Sequence, residues 1–409
     1  MLFTAFSKKD SRTYSTLKTD RILLTPFAES KGVLSLYCIS PCFDIYFLLK
    51  GGIIMAKKIF KGFLCVFLAI VLVVVGYLGY VLFSYSRLED NIDIETVKTG
   101  TQAPVKSGET YTAVIQNLGF GAYTQDFTFF MDGGTESWAE SEESVKNCIN
   151  NAAYEAEKHN PDFILFQEVD FDSTRSYHVN QREILEKRFG GYSSAFAVNY
   201  HSSFLFYPFT QPHGASNSGI LTLSRYNITS ALRRSLPISD SFSKFLDLDR
   251  CYSISRVPAE NGKELVIFNV HLSAYGGSDE IRTAQMTMLF EDMKKEYDKG
   301  NYCVCGGDFN HDFTGDSTQK LNGGAEVDFG WAQPFPTELL PGCIVRCDGY
   351  TQLVPTCRNC DIPYKAGNFT IIVDGFLVTD NVEVVSVENI STEFVYSDHN
   401  PVVLEFKLK

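Results

Sequence analysis

Positive charge is scarce where an interaction with polyanions would need it. Of 409 residues, 36 are Lys or Arg and 49 are Asp or Glu, a formal net charge of −13. The imbalance is uneven. Residues 1–83 hold 10 of the basic and 4 of the acidic groups, which leaves 26 against 45, a net of −19, in 84–409. Such a surface does not draw polyanions in over long range and disfavours tight, nonspecific duplex binding. It leaves a nuclease open, because a local basic patch and a metal suffice. No internal repeat at a fixed period and no low-complexity tract is present. What remains is ordinary for a globular protein: 44% hydrophobic and 21% charged residues.

A clear A-x-A cleavage motif is also missing behind the one long apolar run. Phe63–Phe83 reads FLCVFLAIVLVVVGYLGYVLF, without a charge. At ~1.5 Å per residue it spans about 30 Å, the thickness of a bilayer core. It is long for the apolar part of a signal peptide, so a retained transmembrane helix is expected over 63–83. Lys57, Lys58 and Lys61 precede it, and Arg87, Glu89 and Asp90 follow. The basic flank, 55–62, predicts a cytoplasmic N-terminus, with everything after residue 84 outside the cell membrane. Residues 1–54 lack clean periodicity, and Met55 opens a Met-Ala-Lys-Lys anchor start. Lys50-Gly51-Gly52 can be encoded as a bacterial ribosome-binding sequence. We therefore expect 1–54 to be an upstream extension created by gene calling, the alternative being a disordered or weakly helical cytoplasmic tail.

Residues 84–110, with Gly100, Pro104 and Gly108, read as a stalk. From Tyr111 strands and helices alternate. Tyr111–Gln116, Asp162–Phe166, Gly219–Leu223, Ala231–Ser235, Cys251–Val257 and Glu264–Val270 read as strands. Ser141–His159 and Asp279–Tyr297 read as helices, the second capped by Ser278. Three more strands follow, each carrying an Asp. This mixture predicts a two-layered or four-layered α/β protein with central sheets.

Cysteines are ambiguous. Cys303 and Cys305 alternate in a strand and face one side, as core residues would. Cys343, Cys347, Cys357 and Cys360 form C-x₃-C…C-x₂-C, which fits a zinc site, two disulfides, or free buried thiols. The external location expected here favours the last two. Ser202–Pro212 (SSFLFYPFTQP) reads as core, or alternatively as a membrane-facing or substrate-facing loop.

The chemistry concentrates at strand ends. Asn117, Glu168, His271, Asp308 with Asn310, Asp374, and Asp398 with His399 each end or begin an apolar run. Buried carboxylates are costly unless paired or bound to a metal. Strand ends share a rim, so these groups can converge. Phosphate-ester hydrolysis needs carboxylate oxygen for a hard cation, a base for water, donors for the phosphoryl oxygens, and help for the leaving oxygen. Each residue also has a plainer reading. Asn117 fits a turn cap, Glu168 and Asp170 exposed loop charges, and His271 a hydrogen-bonded core histidine. Asp374-Gly375 fits a hairpin turn and Asp398 a local cap. His311 and Asp312 read as structural, and His159, His178 and His213 as surface residues.

Asn117 in QNLGFGAY, Glu168 in FQEVD, His271 in NVHLS, Asp308 and Asn310 in GGDFNHD, Asp374 in IIVDGF and Asp398-His399 in SDHNPV resemble the endonuclease/exonuclease/phosphatase family. The motifs keep family order over about residues 111–407. The resemblance implies a four-layered α/β sandwich over 111–409, with two central mixed β-sheets flanked by helices. It implies a hydrolase of phosphate esters using Mg²⁺ or Mn²⁺. Glu168 would ligate the metal, with Asn117 nearby and Asp398 helping. Asp308 would orient or deprotonate water, and Asn310 would donate to phosphate and nucleophile. His399 would contact phosphate, its tautomer fixed by Asp374, and His271 would stabilise phosphoryl oxygens or assist the leaving group. Arg225, ending GILTLSR, is a candidate substrate contact or alternatively an ion-pair partner, and Arg358 is a further candidate substrate contact. Tyr192, Tyr200 and Tyr207 compete for a phosphate-contacting tyrosine. The substrate would be nucleic acid, slightly favoured, or a phospholipid head group or inositol phosphate. A non-catalytic module of the same fold is the remaining alternative. The membrane is the one further partner expected, through the single helix, and no obligate protein partner is evident.

Overall fold

The computed structural model describes residues 41–241, 244, 249–274, 278–323, 332–365 and 367–409. Residues 1–40, most of the expected extension, lie outside them. The chain forms two compact units, 1–73 and 74–409. Helix α1 runs Pro41–Ser84, so it begins well before the expected Phe63 and takes in residues 41–54. Within it Gly52–Ser84 is long and apolar enough to cross a membrane.

In the second unit the early strands are β1 (Ile92–Ile94), β2 (Thr96–Val97), β3 (Thr110–Asn117), β4 (Phe163–Asp170), β5 (Ser193–His201), β6 (Asn217–Ser224), β7 (Ser230–Ser235) and β8 (Cys251–Pro258). The later ones are β9 (Glu264–His271), β10 (Tyr302–Asp308), β11 (Ile344–Cys347), β12 (Cys357–Arg358), β13 (Thr370–Ile371), β14 (Asp374–Thr379), β15 (Val382–Asn389) and β16 (Val402–Leu408). One seven-stranded sheet has the order β1-β7-β8-β9-β10-β14-β11, a second β15-β16-β3-β4-β6-β5-β2, and β12 and β13 pair as a separate two-stranded ribbon.

Period-two alternation explains the layering. Ala113, Ile115, Phe163 and Leu165 of one sheet meet Ile267, Val304, Phe376 and Val378 of the other in a core between the sheets. The intervening Val114, Ile164 and Phe166 face outward and are covered by Val145, Ile149, Ala152 and Ala156 of α2 (Glu142–Glu157), with Leu185 of α3 (Gln181–Arg188). On the other sheet Val266, Phe268, Cys303 and Cys305 pack under Met286, Leu289, Phe290 and Met293 of α4 (Asp279–Asp298). The result is the helix–sheet–sheet–helix sandwich that the motifs implied. Ser141 and Ser278 cap α2 and α4, accepting from the amides of Ser144 and Ile281.

One expectation is corrected. The segment 84–110 is not a free stalk. β1 pairs with β7 and β2 with β5, one edge strand for each sheet, and Val105 is buried in the core between them. Of the readings open for the four clustered cysteines, the structure matches free thiols: all four are free. Cys347, Cys357 and Cys360 are buried in three different apolar clusters, and Cys343 packs at the edge of a fourth.

Candidate active site

Register brings the polar strand ends together. β3 and β4 run parallel with Asn117 opposite Gln167, so both end at one rim. β9 and β10 are also parallel, with His271 opposite Asp308. β14 runs antiparallel to β10, and its first residue, Asp374, pairs with Asp308. Asp374 therefore opens a central strand rather than closing a hairpin turn. Asp398 and His399 precede β16, which is antiparallel to β3, so they arrive at the same rim.

Two backbone devices aim the side chains. The ladder between β4 and β6 shifts register between Phe166 and Val169. In that bulge Glu168 takes a left-handed φ of 53°. A bulge re-aims the residue it holds. Gln167 turns inward, donating to Asn269 Oδ1 at 2.8 Å, while Glu168 reaches the cleft. At Gly307 φ is +145°, and an added Cβ would collide with the Val270 carbonyl. Glycine is therefore required where β10 leans on β9 next to Asp308.

Asn117 bridges the two candidate roles. Its amide donates to Asp308 Oδ2 at 3.0 Å and to Glu168 Oε1 at 3.4 Å, and its carbonyl accepts from the Gly119 amide at 3.0 Å. Asp308 Oδ1 accepts from the Asn310 amide at 2.9 Å. The Asn310 side chain donates to the Leu272 carbonyl at 2.9 Å. His399 Nδ1 and Asp374 Oδ2 are 2.7 Å apart, while His399 Nε2 lies 4.0 Å from both Asp308 Oδ2 and Asp398 Oδ2. His271 Nε2 is 3.5 Å from Asp308 Oδ2 and 3.9 Å from Glu168 Oε1.

Burial sets the electrostatics. It raises the Asp308 carboxyl well above the usual range, with Asp374 adding to the rise and His399 and the Asn310 amide opposing it. Burial also pushes Asp398 up to about 6, reinforced by Glu168 and opposed by His399. Burial alone would lower His399, but Asp374 outweighs it and holds the imidazole well above its ordinary value. Burial, with Arg250 and His399, holds His271 well below 6.5, so its ring is neutral at physiological pH.

Such a crowd of carboxylates fits a divalent cation. The donors are hard oxygens, and the like charges raising Asp398 are those a cation would relieve. A Cβ on Gly119 would fall 2.5 Å from Asp398 Oδ1, so the backbone has left this mouth open. The ligand atoms of Asp308, Asp374 and His399 also lie within 4.8 Å of one another. There the Asp374–His399 hydrogen bond already engages the ring nitrogen, which leaves Glu168 and Asp398 as the freer oxygen donors. His271 Nδ1 and Asp374 Oδ1 are buried without protein partners.

The cleft, of about 130 Å³, also takes in residues that sequence reasoning passed over. Arg175 grips Asp170 through two hydrogen bonds of 2.9 and 3.1 Å and lies over Phe120, 3.9 Å from the ring centre. Arg250 lines it, as do Phe129 and Met131. No local pattern marks these positions, because they reach the rim from separate loops. His213, expected at the surface, is buried in the wall, and burial followed by Arg175 lowers it to about 3. Of the three tyrosines, Tyr200 lines the cleft. Arg358 lines it too, buried, donating to the Thr124 and Phe127 carbonyls. Asp312 is structural, accepting from Ser317 Oγ at 2.7 Å, and His311 Nδ1 meets the Phe309 carbonyl at 2.7 Å. Exposed His178 pairs with Asp172.

Arg225 is not part of this site. β6 is antiparallel to β4, so Ser218 at its start faces Asp170 near the cleft, and Ser224 at its end faces Phe163 at the far rim. There Arg225 bonds Asn160 at 2.8 Å and Tyr192 at 3.0 Å. Replacing Arg225 with alanine is expected to leave kcat/KM within about two-fold and to cost about 1 kcal/mol or less of stability. Steady-state hydrolysis and thermal melts check both.

A family model described as "Endonuclease/Exonuclease/phosphatase family" matches residues 131–399, well over half of the chain. The chain belongs to this family. It is accordingly a hydrolase of phosphate esters, in a family whose enzymes depend on divalent metal. Among solved structures it is similar to an endonuclease/exonuclease/phosphatase from Beutenbergia cavernae, at 16% identity, covering 73% of this chain and 72% of that one, with a TM-score of 0.49. A Bacteroides vulgatus family protein has 16% identity, coverage of 74% and 100%, and a TM-score of 0.47. TDP2 of D. rerio, solved with a single-strand DNA product, has 15% identity, coverage of 73% and 99%, and a TM-score of 0.46. No curated protein matches the chain in sequence.

Proposed function

We propose that this protein is a membrane-anchored, extracellular phosphoesterase that hydrolyses its substrate by attack of water, assisted by Mg²⁺ or Mn²⁺. The observation that carries the reading is the in-register Asp308–Asp374 pair, with His399 bonded to one carboxylate and Asn117 tying the other to Glu168. Glu168 and Asp398 would hold the cation, with Asn117 beside them. Bound there, it would polarise the phosphoryl oxygens and offset charge on the leaving oxygen.

The chain's own residues do the rest. Asp308 takes a proton from the attacking water, whose oxygen forms the new bond to phosphorus as the ester oxygen leaves. Asn117 and the Asn310 amide hold the Asp308 carboxylate in place. His399, kept as an imidazolium by Asp374, donates from Nε2 to a phosphoryl oxygen. Neutral His271 donates to the phosphoryl group or assists the leaving oxygen. The apolar helix and its lysine flank support the anchor and its orientation.

The test is hydrolysis by the full chain in detergent, on plasmid DNA, RNA, sphingomyelin and inositol phosphates. Activity on one class should vanish with EDTA and return with Mg²⁺ or Mn²⁺. Glu168→Gln should raise the metal concentration for half-activity by about 10-fold or more, in line with loss of a charged ligand. Turnover that survives EDTA, or a Glu168→Gln enzyme with unchanged metal response, would overturn the proposal.

A further inference from the structure

The loop between β5 and β6 departs from its reading as core. Its run Ser202–Pro212 contains no charged residue. Phe206 is 51%, Tyr207 62% and Phe209 76% exposed. Large apolar side chains so exposed and contiguous mark a surface that meets something apolar.

The last turns of α1 show what that is. Tyr77 Oη donates to the Phe204 carbonyl at 3.3 Å and accepts from the Phe206 amide at 2.9 Å. Tyr80 Oη accepts from the Phe204 amide at 3.3 Å, the Tyr77 and Phe206 rings are 6.3 Å apart, and Ser84 Oγ bonds Ser203 Oγ. Tyr77 and Tyr80 lie inside the uncharged stretch that ends at Phe83. At ~1.5 Å per residue Tyr77 is about 9 Å below that end. A loop that touches Tyr77 therefore sits at the depth of the head groups and the first acyl carbons. At that depth backbone and hydroxyl groups need partners within the protein. The tyrosines and the loop backbone satisfy each other, while the phenylalanine rings pack on one another, Phe204 on Phe206 and Phe206 on Phe209, and stay exposed. Aromatic rings at this level are the usual occupants of a membrane interface.

We propose that Phe204, Phe206, Tyr207 and Phe209 form a second membrane contact, inserting into the lipid interface of the bilayer that α1 spans; the inference rests on the anchor proposed above. Both ends of the loop are rooted in the cleft wall, Tyr200 before it and His213 after it. The Tyr207 ring packs 5.9 Å from Phe130, next to cleft-lining Phe129 and Met131. The contact therefore fixes the catalytic domain, and not only its tether, against the lipid surface. Substrate is then met at the membrane plane.

The test is Phe209→Trp in the full chain, reconstituted into phosphatidylcholine vesicles with and without bromine on the acyl chains. Phe206→Trp is a second variant, and the wild type gives the background of Trp138 and Trp331. Emission from the added tryptophan should fall at least about two-fold in brominated vesicles, as for a ring seated at the acyl boundary. Carbonate-resistant membrane retention and hydrolysis of a soluble phosphodiester are measured on the same samples. Retention and activity without added quenching in either variant would overturn the contact and leave the anchored enzyme standing. Release by carbonate would overturn the anchor and the contact together. Quenching by a soluble oligonucleotide in place of lipid would assign the loop to base stacking and overturn the proposal.

Discussion

Asp308→Asn is expected to cut kcat by about 10³-fold or more without unfolding the protein, since it removes the group proposed to accept the proton of water. The substitution is close in shape, and the amide oxygen can keep the 2.9 Å bond from the Asn310 amide. The distinguishing sign is in stability. Burial and Asp374 raise the Asp308 pKa, so its ionised form is costly in the metal-free fold. A carboxyl with a raised folded pKa stabilises the protein below that pKa, and the stabilisation is lost as pH rises through it. Metal-free wild type should therefore lose melting temperature between mildly acidic and alkaline pH, and the asparagine variant should lose less. Calorimetry in EDTA across that range checks the sign. A variant that loses activity and also melts lower at every pH would show that Asp308 is a structural residue.

The second large effect concerns the His399–Asp374 pair. His399→Gln and Asp374→Asn should each lower kcat by about 10²–10⁴-fold, and the double variant should fall little further than the worse single one. The reason is physical coupling: the 2.7 Å bond from His399 to Asp374 sets both the tautomer and the charge of the ring. In the function proposed above Asp374 acts through His399, as a positioning residue. Independent, multiplicative losses in the double-mutant cycle would break that assignment. The Asp374 backbone amide, held by Thr356 Oγ1 at 3.1 Å, is unaffected by either change, so the strand start should persist.

The strands that read clearly from sequence were those with unbroken apolar runs. Glu264–Val270 and Gly219–Leu223 are each within a few residues of the observed β9 and β6. β4 is longer than Asp162–Phe166, because the bulge carries pairing past Glu168 to Asp170, and no composition cue marks a bulge at Gln167-Glu168. Helix α3 is not legible because eight residues with two adjacent apolar side chains, Ile184 and Leu185, give too little periodicity. Among the site residues, those at strand ends were legible because alternation and register place them on one rim. Arg225 was misplaced for the same reason in reverse: the motif ending is real, but strand direction puts it at the opposite rim. Arg175, Arg250 and His213 reach the cleft through tertiary packing of loops, which one chain's local pattern does not encode. The aromatic loop was read as core because composition records how apolar a segment is and not which way it faces.

The free cysteines set how the fold responds to redox conditions. Cys148, Cys251, Cys303, Cys305, Cys347, Cys357 and Cys360 are buried thiols, and Cys343 is only partly covered. Nothing in the packed domain is cross-linked through them, so its cohesion does not depend on the thiol–disulfide balance of its surroundings. Burial raises the thiols of Cys148 and Cys251 to about 11, which leaves them unreactive as nucleophiles. A domain built this way needs no oxidative folding catalyst. It is also shielded, through seven of these eight positions, from the electrophiles that mark exposed thiols.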